Sequence, residues 1–343
     1  MLWEMASVTE SFQILYNYPE PAIENLWRCC LAKGDMPTHF ASPEFFLEPS
    51  NPAEKRFAVL ALSSGAEDPQ VTGVLTGVIR SGELVSGQIG TPQVCMLAGA
   101  SGNDGGGLVE GLLELGKEAK LINVFTWSPI EALRRKGFKE SQETGTAALD
   151  IGEGPEKTFK RLKGRSQIRH AISAGVEVRQ ARQEDVPEYY SILKDWSGRK
   201  ELPCPSFDFI KESFSRTGNR RLFVAIYEGK IIAGTPVRFY AGGTAEYAWN
   251  ASLPEYQHLR PNDLLHWRII EWACEQGIHT YLLGATHTFL LKYSDRIIPT
   301  YRYSADRTFF KTHALKERLL TTAVDVYRGL PPEIRTHLKK LRG

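Results

Sequence analysis

Apolar positions along the first half of the chain predict a series of strands followed by helices. Apolar runs rich in strand-forming residues begin at Phe57 (FAVLAL), Val71 (VTGVLTGVI) and Val94 (VCMLAG). The Gly, Ser, Asp and Pro residues between these runs predict sequential antiparallel strands. The leucines of LVEGLLELGKEA recur at helical spacing after a glycine cluster, and the strand-like run INVFTW follows. A short helix, IEALRRK, is expected to end at Gly137, because glycine suits the left-handed position there.

The second half of the chain repeats this order of elements. It begins with the strand VEVRQA and the helices QEDVPEYYSILKDW and PSFDFIKESFSR, and a hairpin follows whose turn lies at Glu228-Gly229-Lys230. A third strand is predicted in TAEYAWNAS, and the helix LLHWRIIEWACEQG is expected to end at Gly277 before the strand IHTYLLG. Matching orders without obvious residue identity indicate an old duplication of one structural unit.

A strongly basic stretch separates the two halves. Residues 157–182 hold eight lysines and arginines and one acid, Glu177. We predict one helix here that ends at Gly175 and links the halves, with charges that either form a solvated face or bind an anionic phosphate ligand. The predicted divisions are an N-terminal domain at 1–156, a linking helix at 157–177, a C-terminal domain at 178–307 and a basic amphipathic tail at 308–343.

Composition narrows the class of protein. The chain has 343 residues, of which 42% are hydrophobic and 24% charged, so it is long enough for two cores and too apolar for a disordered or fibrous protein. The net charge of +2 provides no overall field that would favour DNA as a partner. Five cysteines without a CxxC or Cys/His cluster favour reduced thiols in the cytoplasm and no bound metal. The sequence has no visible export signal and no apolar run of about 18 residues.

Several segments resemble the GNAT acyltransferase fold. VRQARQED is similar to its opening strand and helix, EGKIIAG to its central hairpin, and SLPEYQHLRPNDLLHWRIIEWACEQG to the strand, turn and helix that cradle the acyl donor. The stretches PEYQHLRPNDLL, LLKYSD and THFASPEFF are most similar to the Fem-type aminoacyltransferases, and the resemblance covers roughly residues 25–310. It implies an α+β protein with two tandem GNAT-like domains, each a mixed, mostly antiparallel sheet flanked by helices.

The turn before the last predicted helix departs from the GNAT pattern. GNAT acetyltransferases usually have a glycine-rich turn there, because free backbone N–H groups at a helix N-terminus bind pyrophosphate. Here Pro261 offers no N–H group and Asp263 adds negative charge, which favours an aminoacyl-tRNA donor over acyl-CoA. Some Fem enzymes carry an inserted coiled-coil arm, and the link from Trp196 to Pro205 is too short for one. Both donors therefore stay open, and no tightly bound cofactor is expected.

Lys292 is the first catalytic candidate. Acyl transfer to an amine passes through a tetrahedral intermediate with a new negative oxygen, which a fixed cation stabilises. The resemblance implies this role for Lys292, because the Fem-type motif has a lysine after an aromatic residue. In this chain Leu291 replaces that aromatic residue, and Ser294-Asp295 replaces the usual glycine. The alternative is an exposed lysine on a loop.

Further residues are candidates for substrate binding. Arg260 offers a planar fork for phosphate or carboxylate, or alternatively a salt bridge to Glu255 or Asp263. Arg165 and Arg169 are four residues apart on one helical face, where they match the family's basic helix and suit phosphate. We expect one of the three aromatic candidates to contact ligand. The complete set of binding candidates is Arg260, Asn262, Tyr247, Trp249, Tyr256, Arg165 and Arg169.

Neither the candidate general bases nor the glycine segment points to a specific catalytic or binding role. His266, inside an apolar helix, is expected to be a packing residue, and substrate-assisted proton transfer would remove the need for a base. The glycine segment at 99–107 lacks the lysine of a P-loop and is expected to be a flexible loop. The candidates for a base near the predicted site are Glu246, Asp263, His266, His287 and Asp295.

These patterns lead to one functional hypothesis and two alternatives. We expect an acyltransferase that moves an aminoacyl or other acyl group onto an amine of a small-molecule or lipid-linked cell-envelope precursor, of peptidoglycan or polysaccharide. The alternatives are an acetyl-CoA-dependent N-acetyltransferase and a catalytically silent module that binds a saccharide or peptide. Charged tRNA is the expected macromolecular partner. The basic tail docks either on the protein or on the anionic inner face of the membrane.

Overall fold

The computed structural model of the protein describes residues 11–46, 54–63, 70–97, 105–215, 218–309, 311, 312 and 319. The helices in these ranges are α1 Pro21–Ala32, α2 Pro43–Phe46, α3 Gly106–Leu115, α4 Glu131–Arg135, α5 Pro155–Arg161, α6 Arg165–Ser173, α7 Val186–Arg199, α8 Phe207–Ser215 and α9 Pro261–Glu275. None of them combines the length and the apolar character that crossing a bilayer requires. The first ten residues, most of the predicted tail at 308–343 and most of the glycine segment at 99–107 lie outside the described ranges.

The described strands form one sheet. They are β1 Phe12–Leu15, β2 Lys55–Leu62, β3 Val71–Arg80, β4 Glu83–Ser86, β5 Val94–Met96, β6 Leu121–Thr126, β7 Lys139–Asp150, β8 Glu177–Gln180, β9 Arg220–Tyr227, β10 Lys230–Phe239, β11 Thr244–Tyr247, β12 Ala251–Ser252, β13 Thr280–Leu282 and β14 Arg296–Asp306. The order is β1-β2-β3-β4-β6-β14-β7-β13-β11-β10-β9-β8, with β5 paired to β3 and β12 to β10. Only the pairs β4–β6 and β11–β13 are parallel in this part of the chain. The predicted mixed, mostly antiparallel architecture is confirmed.

The two halves exchange strands where they meet. β7 comes from the first half of the chain and lies between β14 and β13, whereas β14 comes from the end of the second half and inserts between β6 and β7. The sheet is therefore continuous through both halves, and the domain divisions at 156, 177 and 307 stay predictions. Separate apolar clusters lie beneath α3 and beneath α9, as the repeated order of elements implies.

The prediction of one linking helix is wrong. The basic stretch forms two helices, α5 and α6, and between them the chain turns at Leu162–Gly164, where Leu162 is extended and buried. Gly164 lies against the ring of Tyr293, and a Cβ atom at Gly164 would stand 2.7 Å from the tyrosine hydroxyl oxygen. A tertiary contact thus interrupts the helix that the local sequence favours. Gly175 does end α6, with φ of 84°.

The hairpin of the second half follows the prediction. β9 and β10 pair with Lys230 opposite Tyr227, and the two turn residues have positive φ angles, 50° at Glu228 and 78° at Gly229. Such a turn matches the right-handed twist of the flanking strands. The predicted third strand is divided into β11 and β12, which lets its two ends pair with different parts of β10.

Candidate functional site

The polar centre of the second half lies at the start of α9. Arg260 caps this helix in the left-handed conformation, with φ of 59° and ψ of 40°, and Pro261 takes the first helical position. Asp263, in the first turn, is 3% exposed. Its Oδ1 accepts hydrogen bonds from the Lys292 ammonium, at 3.0 Å, and from the Tyr293 hydroxyl. Lys292 therefore lies in a buried polar cluster with a defined partner.

Aromatic rings surround the ammonium of Lys292. Its side chain is 29% exposed, and Nζ lies 4.5 Å from the centroid of the Phe289 ring and 5.7 Å from that of Tyr293. Because residue 291 is leucine, it offers no ring to the cation. The aromatic ring next to the Lys292 ammonium is that of Phe289, three residues earlier in the chain. Cation–π attraction and the ion pair together hold the ammonium near one place.

A stack of three rings supports this cluster from inside. The His266 imidazole lies 4.5 Å from the Tyr247 ring and 4.7 Å from the Tyr293 ring, nearly parallel to the latter, and its Nδ1 contacts the Tyr281 hydroxyl at 3.0 Å. Burial, with the nearby charge of Lys292, lowers the pKa of His266 to about 3. His266 is thus neutral at physiological pH and acts in packing. Its Nε2 has no partner among the described residues.

The start of α6 adjoins the same cluster. The Lys163 amide donates to the Lys292 carbonyl at 3.2 Å, and Gly164 lies against Tyr293. The N-termini of α6 and α9, both positive ends of helix dipoles, therefore flank Lys292. Arg165 is exposed at this edge and donates to the carbonyl of Lys160. This arrangement suits a ligand that carries negative charge.

Arg169 lies one turn farther along α6, beside Phe159 of α5. Its guanidinium carbon is 5.7 Å from the centroid of Phe159, and Phe159 in turn lies 4.7 Å from Trp267. The guanidinium stays exposed at the surface. Arg169 therefore extends the basic surface that begins at Arg165.

Arg260 and Asn262 lie at the start of α9, next to the Lys292 cluster. Neither predicted salt bridge of Arg260 forms, since Asp263 is engaged by Lys292, and the exposed guanidinium makes no ion pair with any residue in the described ranges. The Asn262 amide nitrogen donates to Ser252 Oγ at 3.3 Å. Its buried Oδ1 has no partner in the part of the chain described, so Asn262 retains hydrogen-bonding capacity.

Two of the three aromatic candidates lie away from Lys292. The Trp249 indole donates to the Tyr189 hydroxyl at 3.1 Å and packs on the α7 side of the sheet, opposite α9. Tyr256 lies at the end of the β9–β10 hairpin, where the Lys230 ammonium is 5.1 Å from its ring centroid. Of the three candidates, the structure brings only Tyr247 into the cluster.

A second polar cluster lies on the α7 side of the sheet. The sequence pointed to Glu246 as a candidate base but not to its partner Arg238. Glu246, next to Tyr247 on the opposite face of β11, is ion-paired with Arg238 at 2.8 Å, and burial raises its pKa. The Arg238 guanidinium lies 4.8 Å from the Phe40 ring, and the buried His39 contacts Asn219 at 2.7 Å. This cluster joins the two halves. Strand alternation could have identified the pair, since Arg238 is opposite Glu246 in the register.

No group of three or more His, Cys, Asp or Glu side chains suited to a metal occurs in the described ranges. The chemistry that the Lys292 cluster supports is the stabilisation of an oxyanion by an ammonium held in a partly buried setting, where electrostatic attraction is stronger than in water.

Comparisons with known proteins bear on the fold of the chain. A family model described as "Acetyltransferase (GNAT) domain" matches residues 158–293. The FemX structure superposes with a TM-score of 0.63 at 14% identity, covering 86% of this chain and 98% of FemX. L-PGS from Bacillus licheniformis gives 0.54 at 13% identity, covering 90% and 98%. A tandem GNAT protein from the clavulanic acid biosynthesis pathway gives 0.50 at 11% identity, covering 87% and 99%.

These findings separate fold from chemistry. No curated protein matches the sequence, and the solved structures, at such low identities, establish a shared fold. The family model covers α6, α9 and the turn that carries Lys292, so the acyltransferase assignment and the polar cluster concern the same segment. Residues 158–293 match the model of a GNAT acetyltransferase domain, and the fold of the chain is similar to those of FemX and of a tandem GNAT protein.

Proposed function

We propose that the protein transfers an aminoacyl group from an aminoacyl-tRNA to an amine of a cell-envelope precursor, with Lys292 as the catalytic cation. The observation that carries the proposal is the Lys292 ammonium held at 3.0 Å from buried Asp263, beside the start of α9. A cation fixed before substrate arrives needs no reorganisation when the oxyanion develops.

The reaction consists of two bond changes at one carbonyl carbon. The acceptor nitrogen attacks the carbonyl of the aminoacyl ester, and the tetrahedral intermediate carries its negative oxygen toward the Lys292 ammonium. Collapse of the intermediate breaks the carbon–oxygen bond to the ribose and forms the amide. The proton lost by the amine goes to the departing ribose oxygen, so substrate-assisted transfer balances the reaction without a separate base.

The surface around the cluster favours a polyanionic donor. Lys163, Arg165 and Arg260 are exposed around the N-termini of α6 and α9, and Arg169 is exposed one turn farther along α6. Cations spread over two helix starts can contact several phosphates of an RNA strand, and such contacts supply most of the affinity for nucleic acid. The first turn of α9 begins with Pro261, which has no N–H group for a pyrophosphate.

The related folds support the aminoacyl group and an envelope acceptor. FemX resembles this chain over most of its length. Another structural neighbour is the C-terminal domain of a putative lysylphosphatidylglycerol synthetase from Agrobacterium fabrum, with a TM-score of 0.55 at 14% identity over 73% of this chain and 85% of that one. That name denotes an aminoacylated lipid. The acceptor we propose for this protein is an amine on a peptidoglycan or polysaccharide precursor, free or lipid-linked.

A second candidate is transfer from acyl-CoA, which the description of the matching family as acetyltransferases favours. A donor screen distinguishes the two. The purified protein is incubated with a pool of charged tRNAs or with a panel of acyl-CoAs, together with an amine-bearing peptidoglycan precursor, and the products are read by mass spectrometry. We expect aminoacyl adducts from tRNA only. Release of free CoA with acylated precursor would select the second candidate, and consumption of neither donor would contradict both.

A further inference from the structure

One carboxylate oxygen connects Lys292 to the protein interior. Asp263 Oδ1 accepts from the Lys292 ammonium at 3.0 Å and also from the Tyr293 hydroxyl. Asp263 is 3% exposed and Tyr293 is fully buried. The position of the ammonium is thus tied, through a single oxygen, to the hydroxyl of a buried tyrosine.

The Tyr293 ring has little freedom to move. It stacks on His266 at 4.7 Å with an interplanar angle of 14°. On another side Gly164 approaches so closely that a Cβ atom there would stand 2.7 Å from the hydroxyl oxygen. Close-packed interiors resist such displacement, so the Tyr293 hydroxyl, and with it the Asp263 carboxylate, has a fixed location.

We propose that Asp263 is a positioning residue that fixes the Lys292 ammonium before substrate binds, and that Tyr293 orients the Asp263 carboxylate for this task. The inference rests on the proposed role of Lys292. A lysine side chain has four flexible carbon–carbon bonds and would otherwise occupy many rotamers. A supporting shell that locks a catalytic group is what efficient preorganisation requires. Asp263, which the sequence left among the base candidates, thereby acts through another residue and transfers no proton.

A double-mutant cycle tests whether Asp263 acts through Lys292. Asp263→Asn keeps the size of the side chain and an oxygen for Tyr293, but removes the charge that pairs with the ammonium. We expect kcat to fall about thirtyfold while the donor KM changes less than about twofold. In a Lys292→Met background the same substitution should lower the residual kcat by less than about twofold. An equal loss in both backgrounds would overturn the proposal, because Asp263 would then act independently.

A labelling experiment tests the position of the ammonium without any reference to catalysis. Brief treatment with acetic anhydride, followed by peptide mass spectrometry, gives the modification rate of each lysine. In Asp263→Asn the rate at Lys292 should rise about fivefold, because the ammonium loses its partner. The exposed Lys163 is the internal control and should keep its rate. An unchanged rate at Lys292 in the folded variant would overturn the positioning role.

A fallback variant and a separate outcome distinguish failure of this proposal from failure of the proposed function. If Asp263→Asn does not fold, Tyr293→Phe carries the experiment, since it retains the ring stack and removes only the hydroxyl; we then expect a smaller rise in labelling, about twofold, with a matching fall in kcat. An unchanged rate and kcat would overturn the proposal. Wild-type turnover in Lys292→Met would instead contradict the proposed function, while the labelling result would still decide whether Asp263 holds the ammonium.

Discussion

The first turns of α3 and α9 hold corresponding places in the two halves, yet they have opposite characters. Each helix leads into a strand that pairs in parallel with an earlier one, β6 with β4 and β13 with β11. The start of α3 is formed by Gly105, Gly106 and Gly107 and carries no charge. The start of α9 carries Asp263, with Lys292 beside it.

The glycines of α3 allow close packing. A Cβ atom at Gly107 would lie 2.2 Å from the Ser11 carbonyl oxygen, and one at Gly111 would lie 2.5 Å from the side chain of Val59. β1 and β2 therefore press directly on α3. The first turn of α9 instead adjoins the Lys292 cluster and the start of α6. On the proposed function, the same arrangement of strand and helix serves stability in the first half and chemistry in the second, so substitutions should separate the two properties.

The largest expected effect of a single substitution on stability at neutral pH lies in the first half. Gly107→Ala should lower the free energy of unfolding by about 2 kcal/mol, since the new methyl group meets backbone that cannot yield. The kcat of the folded protein should not change. Gly106→Ala is the matched control, because nothing lies within 4 Å of a Cβ atom there, and it should stabilise the protein by about 0.5 kcal/mol. Urea unfolding measures both, and equal effects of the two variants would contradict the packing role.

Acid should destabilise the second half through His266. Burial lowers the pKa of this imidazole to about 3, so below about pH 6.5 the unfolded chain binds a proton that the native protein excludes. Native stability is then lost as pH falls, by up to about 1.4 kcal/mol per pH unit between pH 6 and pH 4. His266→Phe keeps the ring stack and should reduce the slope of unfolding free energy against pH by this amount. If the unfolding free energies of the wild type and of His266→Phe fall equally as pH is lowered, His266 is not the source of the acid destabilisation.

Gly164→Ala should affect both properties at once. The added methyl group pushes against Tyr293 and, through Asp263, moves the Lys292 ammonium. We expect about a tenfold lower kcat and a loss of stability of about 1 kcal/mol. Gly198→Ala in α7 is the control, since a Cβ atom there meets nothing within 4 Å. If Gly164→Ala lowers stability but leaves kcat unchanged, Gly164 does not help to position the Lys292 ammonium.

The smallest expected effect separates backbone from charge at Arg260. This residue has a left-handed conformation, which costs a non-glycine residue about 1 kcal/mol. Arg260→Gly should therefore unfold with a free energy about 1 kcal/mol higher than Arg260→Ala. Both variants lack the guanidinium, so both should raise the donor KM by the same factor, about fivefold. If only one variant raised KM, its backbone and not its charge would be the cause.

Local sequence patterns predicted elements whose partners are close in the chain. The β9–β10 hairpin has its turn residues beside the strands that they join, and α9 has both its apolar face and its terminal Gly277 within one segment. β14 could not be assigned in this way, because its partners β6 and β7 lie more than a hundred residues away. The division of the linking helix also depends on a distant residue, Tyr293.

In the candidate site, too, the sequence indicated single residues but not contacts between residues distant in the chain. The family resemblance pointed to Lys292, and the structure gives it a buried partner. Asp263 was noted for its charge, but no local pattern connects residues 263 and 292, which meet only when the turn after β13 folds back on α9. Trp249 was grouped with Tyr247 as an aromatic candidate for ligand contact. The break between β11 and β12 sends the two rings to opposite faces of the sheet.

The most direct test of the central claim is a single-turnover measurement on Lys292→Met, with Lys117→Met as its counterpart in the first half. Lys117 is exposed and paired with Glu114, so its loss removes a charge without touching the site. With saturating donor, we predict that the rate of acyl transfer falls at least about a hundredfold in Lys292→Met and stays at the wild-type value in Lys117→Met, with donor affinity unchanged in both. A Lys292→Met protein that is folded and transfers at the wild-type rate would contradict the account.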